Sequence, residues 1–390
     1  MDKKPERLVP EVRFKGFTDD WEQRKLGEVA KVIGGGTPNT KIPAYWNGTI
    51  NWYTPVEIGK KIYINESQRK ITLAGLKHSS AKLLPKNSVL FTSRAGIGKM
   101  AILGEEATTN QGFQSIIPIA KELDSYFLFS LSNQLKYYGE THGAGSTFTE
   151  ISGKELAKFK LILPKLNEQK IISKLIMMID KLISLQQRKL EQLKQLKKAI
   201  LQVIASNRLL LHTKKVDMIK VRVADIYKIT RGNVLSRSEI SNVRTSKYPY
   251  PVYSSQTKNH GLMGYYKDFL FKNAITWTTD GANAGTVKYR KGRFYSTNVN
   301  GVLLSSEGLA NQLTAELLNL VAFKYVSHVG NPKLMNNTMG EIIFNIPKSV
   351  ETQQYFSGCI ESVIDLIGKQ EKATDKLNKL KKYLLQKLFI

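Results

Sequence analysis

The sequence predicts a mixed α+β protein in which two homologous domains are separated by two long antiparallel coiled-coil helices, with a pseudo-twofold relation between the copies. Three observations carry this expectation. The chain repeats itself once, each copy ends in a long proline-free run of helical periodicity, and each begins with short β-like runs set between Gly, Asn and Ser turns. With 390 residues, 42% hydrophobic and 9% aromatic, there is enough apolar material for more than one core.

The repeat is clearest near the end of each copy. Residues 183–202 (ISLQQRKLEQLKQLKKAILQ) match residues 367–386 (IGKQEKATDKLNKLKKYLLQ) at an offset of 184, and both share L-x-x-L-K-K-x-[IL]-L-Q. Each helix follows a [LI]-P-K, at Leu163 and at Ile346. A three–four spaced seam is predicted through Ile172, Leu175, Ile179, Leu182, Gln186, Lys189, Leu193, Leu196, Ile200 and Val203. Its counterpart runs through Phe356, Cys359, Val363, Leu366, Gln370, Ala373, Leu377, Leu380, Leu384 and Lys387. Such a 3.5-residue period marks a coiled-coil helix, here roughly 50 Å long. Neither seam can be buried alone, so each is the expected partner of the other. Gln186 and Gln370 hold the same mid-seam position, where a polar residue can fix register, and Cys359 reads as a small core hydrophobe.

Ahead of each helix lies a domain-sized segment. VAKVIGGGT from Val29 aligns loosely with IYKITRGNV from Ile226 at an offset of 197, and Thr109-Asn110 with Thr297-Asn298 at 188. The shrinking offset makes the second domain the shorter. Runs such as 88–92, 274–278 and 301–304 read as strands, and 126–138 and 309–326 as helices.

The formal charge is +27, from 59 Lys+Arg against 32 Asp+Glu. It is distributed: +6 over residues 20–160, +8 over 168–215, +8 over 216–346 and +3 over 347–390. Spread over folded segments, this charge suggests an extended surface that tracks a polyanion rather than a polybasic tail. One cysteine excludes a disulfide framework and a thiolate metal site, and fits a reducing cytoplasm. No secretory signal is read in MDKKPERLVPEVRF, and no stretch is apolar enough to suggest a membrane partner.

Catalytic motifs are wanting. A phosphate-binding loop at Gly98-Lys99 would need Gly where Ser93 stands and Ser or Thr where Met100 stands. Asn331-Pro-Lys-Leu334 begins like an amino-methyltransferase motif, but its third and fourth positions are wrong. The five histidines are scattered, so no metal is expected, and no cofactor. What the domains do carry is eight Gly-rich loops with amide and hydroxyl side chains. The first has IGGGTP (33–38), SRAGIGK (93–99), TTNQG (108–112) and GAGSTF (143–148). The second has TRGN (230–233), SSQTKNHG (254–261), TDGANAG (279–285) and STNVNG (296–301). Each alone is an ordinary turn. Eight together, in two homologous domains of a cationic chain, suit phosphate contact through backbone N–H and base reading through Asn, Gln, Arg and Lys.

This duplicated order resembles the specificity subunit of type I restriction–modification systems. The opening PEVRFKGFTDDWEQRKLGEVAKV (10–32), with R-F-x-G-F and W-x4-L-G-E-V, is similar to that family's opening. So are YPVYSSQTKNHGLMGYY (250–266), TDGANAG and FYSTNVNG in the second domain. The resemblance implies target recognition domain 1 over residues 1–163, a first spacer helix over 164–212, target recognition domain 2 over 213–346 and a second spacer helix over 347–390. It further implies a non-catalytic, DNA-reading subunit of the bacterial cytoplasm, associated with the nucleoid. Its partners would be double-stranded DNA with a bipartite target, two adenine methyltransferase subunits and motor-nuclease subunits. A coiled-coil nucleic-acid adaptor without sequence preference, or a nuclease with an unrecognised site, are the alternatives.

From loop chemistry, the residues expected to contact DNA in the first domain are Thr37, Arg94, Lys99, Asn110, Gln111, Ser146 and Thr147. In the second they are Arg231, Asn233, Gln256, His260, Asp280, Asn283 and Asn298.

Overall fold

The computed structural model describes residues 8–390 apart from 95, 145–148, 207–209, 212–213 and 256–257. It forms two compact units, Met1–Leu185 with Thr374–Ile390, and Gln186–Ala373, so each long helix contributes to both.

In the first unit the chain runs through β1 (Glu22–Lys25), α1 (Leu26–Val29), β2 (Ala30–Gly34), β3 (Trp46–Tyr53), β4 (Tyr63–Ile64), β5 (Arg69–Ile71) and α2 (Leu73–Lys77). It continues through β6 (Val89–Phe91), β7 (Met100–Leu103), β8 (Ala107–Thr109), β9 (Gln114–Pro118), α3 (Ser125–Ser130), α4 (Ser132–His142), α5 (Gly153–Leu156) and β10 (Lys160–Leu163). A five-stranded sheet has the order β2-β9-β6-β7-β4, beside a three-stranded sheet β5-β3-β8 and the pair β1-β10. The short runs Val89–Phe91 and Met100–Leu103 are wholly buried, which is why they read as continuous apolar strands rather than alternating ones. The helix expected over 126–138 is two helices, broken at Leu131.

The 40-residue α6 (Leu166–Ala205) leads into the second unit. There follow the short pair β11 (Leu210–Leu211) and β12 (Lys214–Lys215), then β13 (Met218–Arg222), α7 (Val223–Ile226), β14 (Lys228–Arg231), β15 (Tyr250–Tyr253) and β16 (Leu262–Tyr266). After them come β17 (Phe271–Thr278), β18 (Val287–Ser296), β19 (Asn300–Leu304), α8 (Gln312–Ala322), α9 (Asn336–Gly340), β20 (Ile343–Pro347) and the 38-residue α10 (Val350–Lys387). The main sheet has the order β14-β19-β17-β18-β15-β16, with β13 paired to β20. It repeats the first unit's theme: β14 and β19 stand where β2 and β9 do, and β17 and β18 match β6 and β7.

Both long helices are rich in Leu, Lys, Gln and Glu, which are good helix formers, and neither contains proline. Their buried stripe differs in one respect from the predicted seam. On α6 it passes through Gln169, Ile172, Ile176, Ile179 and Ile183, and later Leu201 and Ile204. On α10 it passes through Gln353, Phe356, Ile360, Gln370 and Thr374, and continues to Leu388 just past the helix end. Leu182, Leu196, Val203, Leu366 and Leu380 are exposed, and so is Cys359, which is therefore not a core residue. The error is one residue at alternate positions. Adjacent apolar pairs (Leu182/Ile183, Val203/Ile204) satisfy the same period, and only packing selects the second of each. Within each unit the two helix segments run antiparallel. In the first, Asp180 binds Lys381 while Ile172 and Ile176 share a core with Leu388 and Phe389. In the second, Gln186 meets Gln370 while Leu201 and Ile204 share a core with Phe356 and Ile360.

Each domain is joined to a long helix by the same device. In the first unit the Gln169 amide accepts from Asp124 N at 2.9 Å and donates to Pro164 O at 2.9 Å, while the Ser173 hydroxyl donates to Asp124 Oδ1 at 2.5 Å. In the second, Gln353 donates to Pro347 O at 2.7 Å and accepts from Asn311 Nδ2 at 3.3 Å, while Ser357 Oγ accepts from Gln312 N at 3.1 Å. Asp124 and Asn311 are also the N-caps of α3 and α8, so in each unit one residue both starts a domain helix and holds the long helix against it.

A candidate nucleic-acid interface

At one end of each main sheet the Gly-rich loops are laced together by main-chain hydrogen bonds, and the lacing is duplicated. In the first unit Gly36 N donates to Thr109 O (2.8 Å), Asn110 N to Tyr53 O (3.0 Å), Ser93 N to Gly112 O (2.9 Å) and Ile151 N to Ser93 O (3.1 Å). In the second, Asn233 N donates to Ser296 O (3.0 Å), Thr297 N to Tyr253 O (2.9 Å), Thr279 N to Val299 O (3.2 Å) and Leu334 N to Thr279 O (2.8 Å). Glycine is required where two loops touch. A Cβ on Gly35 would lie 2.0 Å from Asn110 O, and one on Gly232 would lie 2.2 Å from Ser296 O. These bonds set Thr109 equivalent to Ser296, an offset of 187 rather than the 188 suggested by aligning the Thr-Asn pairs.

The lacing gathers most of the first domain's expected contact residues. Thr37 follows Gly36 and donates to the Gln111 amide oxygen; Arg94 follows Ser93, 3.7 Å from Glu150; and Asn110 caps its own turn by accepting from Gly112 N at 2.9 Å. Gln111 and Lys99 are exposed, and the Lys99 stem passes over Gly59 and Gly96. Asn110 is thus partly spent on its turn, and Arg94 is partly neutralised by Glu150. Ser146 and Thr147 lie outside the described residues, as does Gln256 in the second domain.

In the second domain Arg231, Asn233 and Asn298 are exposed around Gly232 and Thr297. Asp280 pairs its backbone with Lys333, beside the bond from Gly281 N to Pro332 O (2.9 Å). His260 and Asn283 line a polar cavity of about 90 Å³, with Ser254, Thr276, Thr278 and Asn300. At its wall sits Arg290, which loop-based reasoning missed because it lies within a strand. Only 8% exposed, Arg290 donates from Nε to Thr276 Oγ1 (3.1 Å) and from Nη1 to His260 O (3.0 Å), and its guanidinium stacks 3.7 Å from the Tyr253 ring. Asn259, His260 and Gly261 all have positive φ, which turns the His260 carbonyl towards it. Burial lowers the Arg290 pKa to about 10, and burial with the neighbouring Arg290 charge lowers that of Lys288. The run Lys288-Tyr-Arg290-Lys-Gly-Arg293 was the available signal: four cations in one strand, with Lys288 and Arg290 sharing a face.

Among the described residues no cluster of His, Cys, Asp or Glu could hold a metal ion, and no helix is long and apolar enough to cross a membrane. The sequence model for the type I restriction modification DNA specificity domain matches the chain twice, over residues 18–195 and 215–380. The chain belongs to this family. Among relatives of the specificity family, it is 39% identical over 168 residues to the type I restriction enzyme MjaIX specificity subunit of Methanocaldococcus jannaschii, covering 42% of this chain and 39% of that one. It is 32% identical over 178 residues to the EcoR124I/EcoR124II specificity subunit of Escherichia coli, covering 43% of each. The matched stretches thus span less than half the length of these two relatives. The crystal structure of the S subunit of a type I restriction–modification system from M. genitalium shares the fold, with a TM-score of 0.71, 16% identity, and coverage of 98% of this chain and 99% of that one.

Proposed function

We propose that the chain is the DNA-reading subunit of a type I restriction–modification complex, and that each domain reads one half of a bipartite target. Residues 1–163 and 213–346 are the two readers, and the helices over 164–212 and 347–390 hold the half-sites at a set spacing. Two adenine methyltransferase subunits and motor-nuclease subunits, supplied by other chains in a bacterial cytoplasm, carry out methylation and cleavage. The observation that carries this reading is the duplicated loop lacing, which sets amide, hydroxyl and guanidinium side chains around one sheet end in each of two family-matched domains. Cationic side chains clamp phosphates and give a salt-dependent affinity, while a few loop residues discriminate bases. Thr37, Arg94, Lys99 and Gln111 are the first reader's contacts, with Asn110 holding their turn. Arg231, Asn233, His260, Asp280, Asn283 and Asn298 are the second's. Ser146, Thr147 and Gln256 complete the two sets.

The test is selection of bound duplexes from random DNA with the methyltransferase partner present. The proposal expects two short defined segments separated by an undefined gap of constant length, and expects that gap to grow when both helices are lengthened. A single contiguous motif, or no motif, contradicts it. The chain alone with Mg²⁺ and plasmid is expected neither to cut nor to methylate.

A further inference from the structure

Arg290 is a buried cation without a carboxylate. Among the described residues its partners are a threonine hydroxyl, a main-chain carbonyl and the face of Tyr253, and no acid lies within ion-pair distance. Among the described residues Lys288, two residues along the same strand and on the same face, makes no ion pair either, Glu316 acting on it only as a neighbouring charge. Both line the 90 Å³ cavity, whose other walls carry the hydroxyls of Ser254, Thr276 and Thr278 and the amide of Asn300. A desolvated positive charge left uncompensated is costly, so this arrangement costs stability unless an anion enters. The cavity has about three times the volume a water occupies in the liquid, room for one tetrahedral anion.

The first domain has no such feature. Val89 pairs with Ile102 on β7 as Ile275 pairs with Tyr289 on β18, which makes Ala101 and Leu103 the counterparts of Lys288 and Arg290. Ala101 and Leu103 are both wholly buried in apolar core. Two cations therefore replace core residues at equivalent sites of one domain only.

We infer that Lys288 and Arg290 form a seat for one backbone phosphate of the bound duplex, present in the second domain and missing from the first. The inference rests on the DNA-reading function proposed above. An open cleft-side cavity of hydroxyls, an amide and two cations suits a phosphate oxygen triad, and Arg offers the planar fork that phosphate accepts. The Thr276 hydroxyl and the His260 carbonyl fix the guanidinium at the cavity wall.

The experiment uses the full-length chain as wild type, Arg290→Leu, Lys288→Ala and Arg290→Lys; the first two install the residues of the other domain. Thermal unfolding is compared in sodium phosphate and sodium chloride at matched ionic strength. Wild type is expected to gain several degrees in phosphate. Arg290→Leu is expected to gain none, with a chloride midpoint equal to or above wild type. Duplex binding is then measured against salt. Arg290→Leu is expected to weaken binding about ten-fold and to reduce the slope of log K on log salt by about one, with the selected sequence unchanged. Arg290→Lys recovers part of both, which a purely structural role for the guanidinium would not produce. Should Arg290→Leu fail to fold, Lys288→Ala carries the same comparison. A phosphate gain that persists in both variants overturns the seat. Loss of that gain with an unchanged salt slope assigns the site to free phosphate and overturns the duplex as its source. A wild-type chain that binds no duplex defeats the proposed function, while the phosphate arm still reports on the seat.

Discussion

Gln370 donates from Nε2 to the main-chain carbonyl of Gln186 at 3.0 Å and also to its side-chain amide oxygen. These two glutamines are the same position in the two copies of the repeat, so the duplicated helices meet through their own duplicated polar residue. An amide pair with Gln370 buried and Gln186 half-buried costs stability in a seam and is satisfied in one alignment only. Gln370→Leu is therefore expected to raise the denaturant midpoint while broadening the gap between half-sites in selected DNA. A narrower or unchanged gap distribution would remove the register role.

The glutamine joints make a paired prediction. Gln169 is 1% exposed and holds Asp124 N, Glu122 O and Pro164 O. Gln169→Ala leaves the buried Pro164 carbonyl and two half-buried main-chain groups without this partner and is expected to cost about 2–3 kcal/mol. Gln353→Ala, which removes one bond to Pro347 and one to Asn311, is expected to cost somewhat less. Urea unfolding of both variants checks the order.

Lys288 gives a pH dependence of defined sign. Burial and the Arg290 charge hold its folded pKa below the ordinary lysine value. Between that lowered value and about 10.4, the unfolded chain binds more protons, so stability rises with pH in this window. Lys288→Ala is expected to flatten the rise. Urea midpoints measured from roughly pH 8 to 10 decide it, and an unaltered profile counts against the burial of this charge.

Base reading should be separable by domain. Gln111→Ala is expected to relax discrimination at one position of one half-site by about 1–3 kcal/mol and to leave the other half-site unchanged; Asn298→Ala is expected to do the reverse. Competition binding with singly substituted duplexes measures both. An equal loss at both half-sites from either variant would mean the two readers do not act separately.

Much of this was legible in the chain itself, and the gaps have physical causes. Duplication, the Gly-rich loops and the long helices are local patterns, and they survive into the structure because backbone lacing and helix propensity enforce them. The seam slipped at Leu182 and Val203 because a neighbouring isoleucine satisfied the same period, and Cys359 moved outward with that slip. Aligning Thr109 with Thr297 rather than Ser296 was a one-residue error that identity favours and hydrogen bonding corrects. Arg290 was overlooked because a cation inside a strand shows no loop signature, and its lack of a carboxylate appears only once distant segments converge. The glutamine joints are invisible in sequence, since Gln169 and Gln353 look like solvated helix residues until Asp124 and Asn311 arrive.

In the proposed function two domains of one chain read two separate half-sites. The measurement closest to it is methylation-aware sequencing of DNA from a host carrying the complete system, repeated after the second domain's loops around Arg231, Asn233 and Asn298 are replaced by those of another family member. A methylated motif of two segments and a fixed gap is expected, in which the replacement rewrites one segment and leaves the other segment and the gap intact. A motif that changes in both segments, or one that was never split, would contradict it.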